Sequence, residues 1–275
     1  MTKKFFTFIL ALISVLTFIP ESSLLAASKV KYGMDKDIAY RSEKDAYIAS
    51  QCRLDVYYPK KAENAPVVVW FHGGGLTKGK KYVPQELEES GIIVVAVGYR
   101  FMDKVHISDC IDDAAASVAW TFANIGKYGG AKDRIFVSGH SAGGYLTNML
   151  GLDRKWLAKY GIDANSLAGL MPLSGQAITH YELRKQQGIG PLQATIDEYA
   201  PLTYARGDAA PMLIVSGDRE LEMNGRYEEQ AYFWRMLKLN GMKDVSIYEM
   251  QGYNHSQMRH PAMHLVKKFI SDHTK

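Results

Sequence analysis

Cysteine is scarce in this sequence, which has only Cys52 and Cys110 among its 275 residues. Neither belongs to a His, Cys, Asp and Glu cluster with metal-ligand spacing, so no metal site is expected. An oxidising compartment would permit a disulfide between the two, and a pair of buried free thiols is the alternative. The scarcity of cysteine excludes a small fold that is held together by several disulfides.

A strong excess of one charge is also lacking. The chain has 33 Lys and Arg against 29 Asp and Glu, a formal net charge of +4. Beyond the first residues there is no sustained basic run, so neither a nucleic acid nor an anionic membrane is expected as a partner. No nucleotide fingerprint is present, and no cofactor is expected.

Only one apolar run is long enough to raise the question of a membrane, and it lies at residues 5–19. Lys3 and Lys4 precede it and small residues follow at 26–28. This order is typical of a secretory signal peptide, here residues 1–27, and predicts a secreted or periplasmic protein without stable membrane insertion after cleavage. An uncleaved N-terminal anchor is the alternative.

The remaining residues, 28–275, show neither a linker nor a repeat and predict a single domain. Its segments alternate between β-branched runs and stretches with helical spacing, which predicts a mostly parallel central sheet with flanking helices. Strands are expected at 54–58, 66–71, 91–97, 134–138, 167–171, 211–216 and 245–249. Helices are expected at 109–125, 142–152, 226–240 and 261–272.

One segment, at about 176–206, fits this alternation poorly. We interpret it as a small insertion over the carboxyl ends of the strands, where open α/β sheets bind ligands; an ordinary surface crossover is the alternative. Gln176, His180 and Tyr181 are its candidate substrate-binding residues.

The motif Gly139-His-Ser-Ala-Gly143 matches G-x-S-x-G and has a predicted strand before it and a helix after it. A sharp turn between the two would expose the Ser141 hydroxyl at a helix N-terminus, where developing negative charge is stabilised. Ser141 is therefore the predicted nucleophile.

A second glycine motif, His72-Gly-Gly-Gly75, directly follows the predicted strand at 66–71. Consecutive glycines can present free amides to a substrate oxygen, so Gly74 and Gly75, with Ala142, are the predicted oxyanion-hole donors. A phosphate-binding loop is the competing interpretation, but the G-x-x-x-x-G-K-[ST] spacing is missing.

A serine nucleophile needs a base and an orienting carboxylate. His255 follows the last predicted strand and is the predicted base. The carboxylate is expected after the strand at 211–216, where Asp218 and Glu220 compete. The usual Gly-x-x-Asp turn favours Glu220, whereas the commoner residue type favours Asp218.

These three ordered motifs resemble those of the α/β-hydrolase superfamily, and most closely its hormone-sensitive-lipase-like carboxylesterases; Val97-Gly-Tyr-Arg100 is similar to a strand end in that branch. The sequence also resembles secreted bacterial acetyl-xylan and feruloyl esterases. Two departures are a Glu at the usual acid position and the lack of a long N-terminal cap. The short cap implies an open pocket and speaks against long-chain lipids.

The resulting hypothesis is a cofactor-independent serine esterase that forms an acyl-enzyme on short-chain or carbohydrate-linked acetyl or feruloyl esters. Its partners would be small-molecule or polysaccharide esters. An amidase, arylformamidase or peptidase on the same scaffold is the alternative within enzymes. A non-catalytic binding protein on a hydrolase scaffold is the alternative from another class.

Overall fold

The structure, a computed structural model, describes residues 30–274, so the predicted signal peptide at 1–27 lies outside the described residues. Eight strands form one sheet in the order β1-β2-β4-β3-β5-β6-β7-β8. They are β1 Tyr32–Ala39, β2 Arg53–Pro59, β3 Ala65–Phe71, β4 Ile93–Val97, β5 Gly130–His140, β6 Gly169–Leu173, β7 Met212–Gly217 and β8 Val245–Met250.

Pairing within the sheet is parallel from β4 through β3, β5, β6 and β7 to β8, and antiparallel only where β1 meets β2 and β2 meets β4. The predicted mostly parallel α/β fold is confirmed. The helices are α1 Ala46–Gln51, α2 Ile107–Asn124, α3 Ala142–Leu152, α4 Lys155–Ala158, α5 Tyr181–Gln186, α6 Arg226–Leu239 and α7 Arg259–Asp272. Short 3₁₀ turns lie at Gln85–Leu87, Ile125–Tyr128, Ala164–Ser166 and Pro201–Tyr204.

Helices cover both faces of the sheet, and the side chains of β3 show why. Val67, Val69 and Phe71 belong to the core cluster that includes residues of α2, α3 and α6. Val68 and Trp70 belong to the other cluster, which includes residues of α7. Because successive side chains of a strand point to opposite faces, a continuous apolar run is the sequence pattern of a strand covered on both sides.

Two elements near the start of the described chain, β1 and α1, were not predicted. Among the strands of residues 30–274, the β1 segment, Tyr-Gly-Met-Asp-Lys-Asp-Ile-Ala, pairs with β2 alone, and it is largely exposed. An edge strand of this kind needs no apolar alternation, so its sequence carries little signal.

Both cysteines are buried free thiols, the second of the two alternatives. Burial raises the pKa of Cys52 to about 12, which disfavours its thiolate. Within residues 30–274, none of the helices is both long enough and apolar enough to cross a bilayer.

Candidate active site

Ser141 lies at the sharp turn between β5 and α3. Its backbone has φ 58° and ψ −117°, a strained conformation for a residue with a side chain. The Ser141 amide donates to the Leu173 carbonyl at the end of β6 (2.8 Å), which holds the turn against the neighbouring strand. The strain is retained because β5, β6 and α3 fix the chain on both sides of the turn.

The glycines on either side of Ser141 are required by close backbone contacts. A Cβ at Gly139 would lie 2.6 Å from the Phe71 carbonyl oxygen, and one at Gly143 would lie 2.0 Å from the same atom. The spacing of the motif therefore reflects α3 approaching the end of β3 more closely than any side chain permits. This approach places Ser141 beside the glycine loop that follows β3.

Ser141, His255 and Glu222 form a continuous hydrogen-bonded chain. The Ser141 Oγ lies 2.8 Å from His255 Nε2, and His255 Nδ1 lies 2.5 Å from Glu222 Oε1. Because an ionised carboxylate only accepts, Nδ1 carries the ring proton and Nε2 is free to accept the serine proton. The geometry is that of a nucleophile, a base and an orienting acid.

The residue that contacts His255 corrects the expectation for the acid, because it is Glu222 and neither Glu220 nor Asp218. The Asp218 carboxylate caps the loop instead, accepting from the amides of Glu220 (2.9 Å) and Gly252 (2.7 Å). Glu220 is exposed. The amide of Glu222 donates to the Asp218 carbonyl (2.7 Å) and so closes a backbone turn. The Gly-x-x-Asp spacing that starts at Gly217 does not predict this turn, and it pointed to Glu220 instead.

The charged form of Glu222 is stabilised although its side chain is fully buried. Burial alone would raise its pKa, but hydrogen bonds from His255 and Ser174, together with the charge of His255, lower that pKa to about 2. The Gly217 amide also donates to Oε2, at 3.0 Å. Glu222 is therefore ionised at neutral pH.

Two further residues hold the imidazole, and the sequence motifs named neither for this role. The Ser174 Oγ donates to Glu222 Oε2 (2.7 Å) and lies 2.9 Å from His255 Nδ1. The His140 Nε2 donates to the His255 carbonyl (2.7 Å), and burial, followed by the charge of His255, lowers the pKa of His140 to about 3. The only available signals were the position of Ser174 directly after β6 and that of His140 beside Ser141.

The glycine loop lies against the nucleophile, as its position after β3 predicted. Gly73, Gly74 and Gly75 line the same cavity as Ser141, and a Cβ on Gly73 would lie 3.3 Å from the Ser141 Cβ. Within residues 30–274, the amides of Gly74, Gly75 and Ala142 have no hydrogen-bond acceptor. These amides are suited to a substrate oxygen, and Gly73, which was not predicted, lies nearest Ser141.

The three candidate substrate-binding residues divide between different environments. Tyr181 lines the Ser141 cavity and also an adjoining one, and its hydroxyl packs against Gly75. Gln176 lines only the adjoining cavity, where its Oε1 accepts from the Tyr181 amide (3.1 Å). His180 lines neither cavity: it is buried edge-on to Tyr145 and accepts from the Glu182 amide at the start of α5.

The two cavities have similar size but different linings. The Ser141 cavity has a volume of about 520 Å³ and is lined mostly by glycines and by residues with polar or charged groups. The adjoining cavity, about 510 Å³, is lined mainly by apolar side chains of the 176–206 segment and by Met223, which both cavities share. The described residues hold no group of three or more His, Cys, Asp and Glu side chains that could bind a metal ion.

Comparison with known proteins gives a consistent picture. The BD-FAE family model matches residues 54–169. A probable isoprenylcysteine alpha-carbonyl methylesterase of Arabidopsis thaliana is 37% identical over 99 residues, covering 34% of this chain and 21% of that protein. The probable carboxylic ester hydrolase LipM of Mycobacterium tuberculosis is 28% identical over 212 residues, covering 68% of this chain and 48% of LipM. The matched part of the chain thus covers between about a fifth and a half of the length of these two relatives.

Solved structures extend the similarity of fold to most of the chain. Esterase 2 of Thermogutta terrifontis, phosphoramylated by tabun, superimposes with a TM-score of 0.69 at 19% identity, covering 87% of this chain and 94% of that one. A truncated carbohydrate esterase from gut microbiota gives a TM-score of 0.72 at 14% identity, covering 90% and 98%. The chain therefore has the α/β-hydrolase fold. The proteins to which it is similar include ones named as esterases and a probable carboxylic ester hydrolase.

Proposed function

We propose that this protein hydrolyses carboxylic esters through an acyl-enzyme on Ser141. The observation that carries the proposal is the contact chain from Ser141 Oγ through His255 to the buried, ionised Glu222. These three residues lie beside a glycine loop whose Gly74 and Gly75 amides donate to no acceptor among the described residues. The similarity of the protein's sequence to that of a probable carboxylic ester hydrolase supports an ester as the substrate.

In the proposed reaction, His255 Nε2 takes the Ser141 proton as Oγ attacks the ester carbonyl. The negative charge that develops on the carbonyl oxygen is stabilised by the glycine-loop amides and by Ala142. The imidazolium, stabilised by Glu222, then gives its proton to the leaving alcohol. Water, deprotonated by His255, attacks the acyl-enzyme, releases the acid and restores Ser141.

The proposed substrates are short-chain esters or esters on carbohydrates, with acetyl or feruloyl acyl groups. The Ser141 cavity, with its glycines and hydrogen-bonding side chains, suits a small acyl group or a sugar, and the adjoining apolar cavity suits an aromatic ring. A carbohydrate esterase is among the proteins with a similar fold.

Labelling of Ser141 by paraoxon tests the mechanism, since the Thermogutta esterase was phosphorylated by this compound. Intact-mass analysis should show one adduct on the wild-type protein and none on Ser141→Ala. The Ser256→Ala variant removes another hydroxyl from the same cavity and should still be labelled. Labelling of Ser141→Ala at wild-type rate would refute Ser141 as the nucleophile.

Turnover distinguishes the rival functions. We expect p-nitrophenyl acetate to be cleaved and p-nitroacetanilide to be cleaved far more slowly. Faster cleavage of the anilide would indicate an amidase. A folded protein that cleaves neither compound nor reacts with paraoxon would be a binding protein on a hydrolase scaffold.

We also propose export with cleavage near residue 27. The support is the order of charged, apolar and small residues in the first 28 positions. N-terminal sequencing of protein recovered outside the cytoplasm should give a start near residue 28, whereas a start at Met1 would support the anchored alternative.

A further inference from the structure

The cavity around Ser141 is lined by three cationic side chains, Lys78, Lys80 and Arg259. Among the described residues that line it there is no Asp or Glu. Glu222 lies behind His255 with its side chain fully buried and already paired. The substrate side of the site therefore carries an uncompensated positive charge.

Arg259 is held in place by an aromatic ring. Its Nη1 lies 3.3 Å from the Tyr82 hydroxyl, and its guanidinium carbon lies 5.5 Å from the centre of the Tyr82 ring. Tyr82 in turn packs edge-on against the buried Trp70. An arginine oriented in this way keeps most of its N–H donors available for a ligand.

Arg259 forms no salt bridge within residues 30–274. By contrast, Arg41, Arg100 and Arg226 are each paired with a carboxylate. Arg259 also lies near the catalytic turn. Its charge adds to burial and to the charge of His255 in lowering the pKa of His140.

The lysines of the glycine loop show the same contrast. Lys81 is neutralised by Asp37 (2.7 Å) and Asp55 (2.6 Å) and does not line the Ser141 cavity. Lys78 and Lys80, which do line it, have no salt-bridge partner among residues 30–274. The paired lysine thus does not line the cavity, whereas the two unpaired and exposed ones do.

We propose that the site binds esters that carry a carboxylate close to the scissile bond. Arg259 is the main contact of this carboxylate, and Lys78 and Lys80 contribute electrostatic attraction. The proposal rests on the ester hydrolase function above. A planar guanidinium matches a carboxylate with two parallel hydrogen bonds. Like charges in a cleft also concentrate an oppositely charged substrate. An acidic sugar ester is one substrate with this chemistry.

Matched pairs of esters test the proposal. On the alcohol side the pair is 4-acetoxybenzoate and 4-acetoxybenzamide. On the acyl side it is the p-nitrophenyl monoester of glutaric acid and p-nitrophenyl pentanoate. The measured quantity is kcat/KM for the anionic ester divided by kcat/KM for its neutral partner. The two esters differ in intrinsic reactivity, but this difference is the same for every variant. A change in the ratio between wild type and variant therefore reports binding of the anionic group. The pair that responds identifies the side of the ester that meets the cations.

In one of the two pairs, Arg259→Gln should lower this ratio about 10-fold, as expected for a lost hydrogen bond to a charged group. The Arg259→Lys variant, which keeps the charge without the planar fork, should lose less. The double variant Lys78→Gln/Lys80→Gln should lower the ratio about 5-fold, and salt at about 0.5 M should reduce the wild-type ratio.

The control is Lys60→Gln/Lys61→Gln, which removes the same charge at an exposed turn lining a different cavity. It should leave the ratio at the wild-type value. Equal ratios in wild type, the cavity variants and this control would overturn the anion proposal while leaving the ester hydrolase function intact. Failure of the wild type to cleave any of these esters would overturn the function itself.

Discussion

Glu222 Oε1 lies 2.5 Å from His255 Nδ1, although the two residues are 33 positions apart and lie on loops that follow different strands. Glu222 is held by the amides of Gly217 and Met223 (both 3.0 Å) and by the Ser174 hydroxyl. Its orientation is therefore set before any substrate binds.

Replacing Glu222 with Gln should reduce kcat by about 10³- to 10⁴-fold with little effect on folding, because the amide no longer favours the productive tautomer and imidazolium of His255. Steady-state turnover of p-nitrophenyl acetate measures the effect. Glu220→Gln and Asp218→Asn are the matched controls and should keep at least about a tenth of the wild-type kcat. A loss in Glu220→Gln as large as in Glu222→Gln would contradict the assignment.

Removing the Ser174 hydroxyl should lower kcat about 10-fold and change KM little, because Glu222 loses one hydrogen bond to its charged form. Ser174 has φ 48°, so Ala and Gly variants separate two effects. Glycine tolerates this conformation, whereas alanine is strained. Both variants should show the same fall in kcat, and full recovery of kcat in Ser174→Gly would indicate strain in the alanine variant as the cause.

Stability should fall steeply on acidification below about pH 6.5. Burial lowers the pKa of His72 to about 4 and those of His140 and His180 to about 3. Between these values and about 6.5 the unfolded chain binds more protons, so the stabilisation by the neutral imidazoles is complete above pH 6.5 and is lost as the pH falls. Three such groups contribute up to about 4 kcal/mol per pH unit. Glu229, whose pKa burial raises to about 7, offsets up to about 1.4 kcal/mol per pH unit of this between about pH 4.5 and 7, because only the folded chain binds its proton there.

Denaturant unfolding at several pH values between 7.5 and 4.5 measures this slope. His180→Asn, which keeps a capping side chain, should reduce it by up to about 1.4 kcal/mol per pH unit. The exposed His264 provides the control, His264→Gln, which should leave the slope unchanged. A wild-type stability that is constant between pH 5 and 6.5 would refute the account.

Replacing Tyr181 with Ala should join the Ser141 cavity to its apolar neighbour, because Tyr181 lines both. Each additional buried methylene contributes about 0.8 kcal/mol, or about 4-fold in kcat/KM. The ratio of p-nitrophenyl hexanoate to acetate hydrolysis should therefore rise about 10-fold or more. Tyr181→Phe keeps the ring between the cavities and should leave the ratio near the wild-type value; an equal rise in both variants would exclude the ring as the barrier.

The sequence by itself determined seven of the eight described strands, the four long helices and the positions of Ser141 and His255. The continuous apolar run of β3 is typical of a strand with both faces covered by helices. The glycines around Ser141 have no alternative residue, because the Phe71 carbonyl occupies the space of a side chain. Each of these constraints leaves a pattern in consecutive residues.

Only the tertiary structure decided the acid, the supporting hydroxyl of Ser174 and the position of His180. In the loop after β7, a backbone turn points Glu222 inward and leaves Glu220 in solvent, and neither composition nor spacing encodes that difference. Ser174 becomes important only because β6 ends beside the loops that carry Glu222 and His255. The contacts of Glu222 and Ser174 with His255 depend on how three loops pack against one another. The residue type at one position does not predict such contacts.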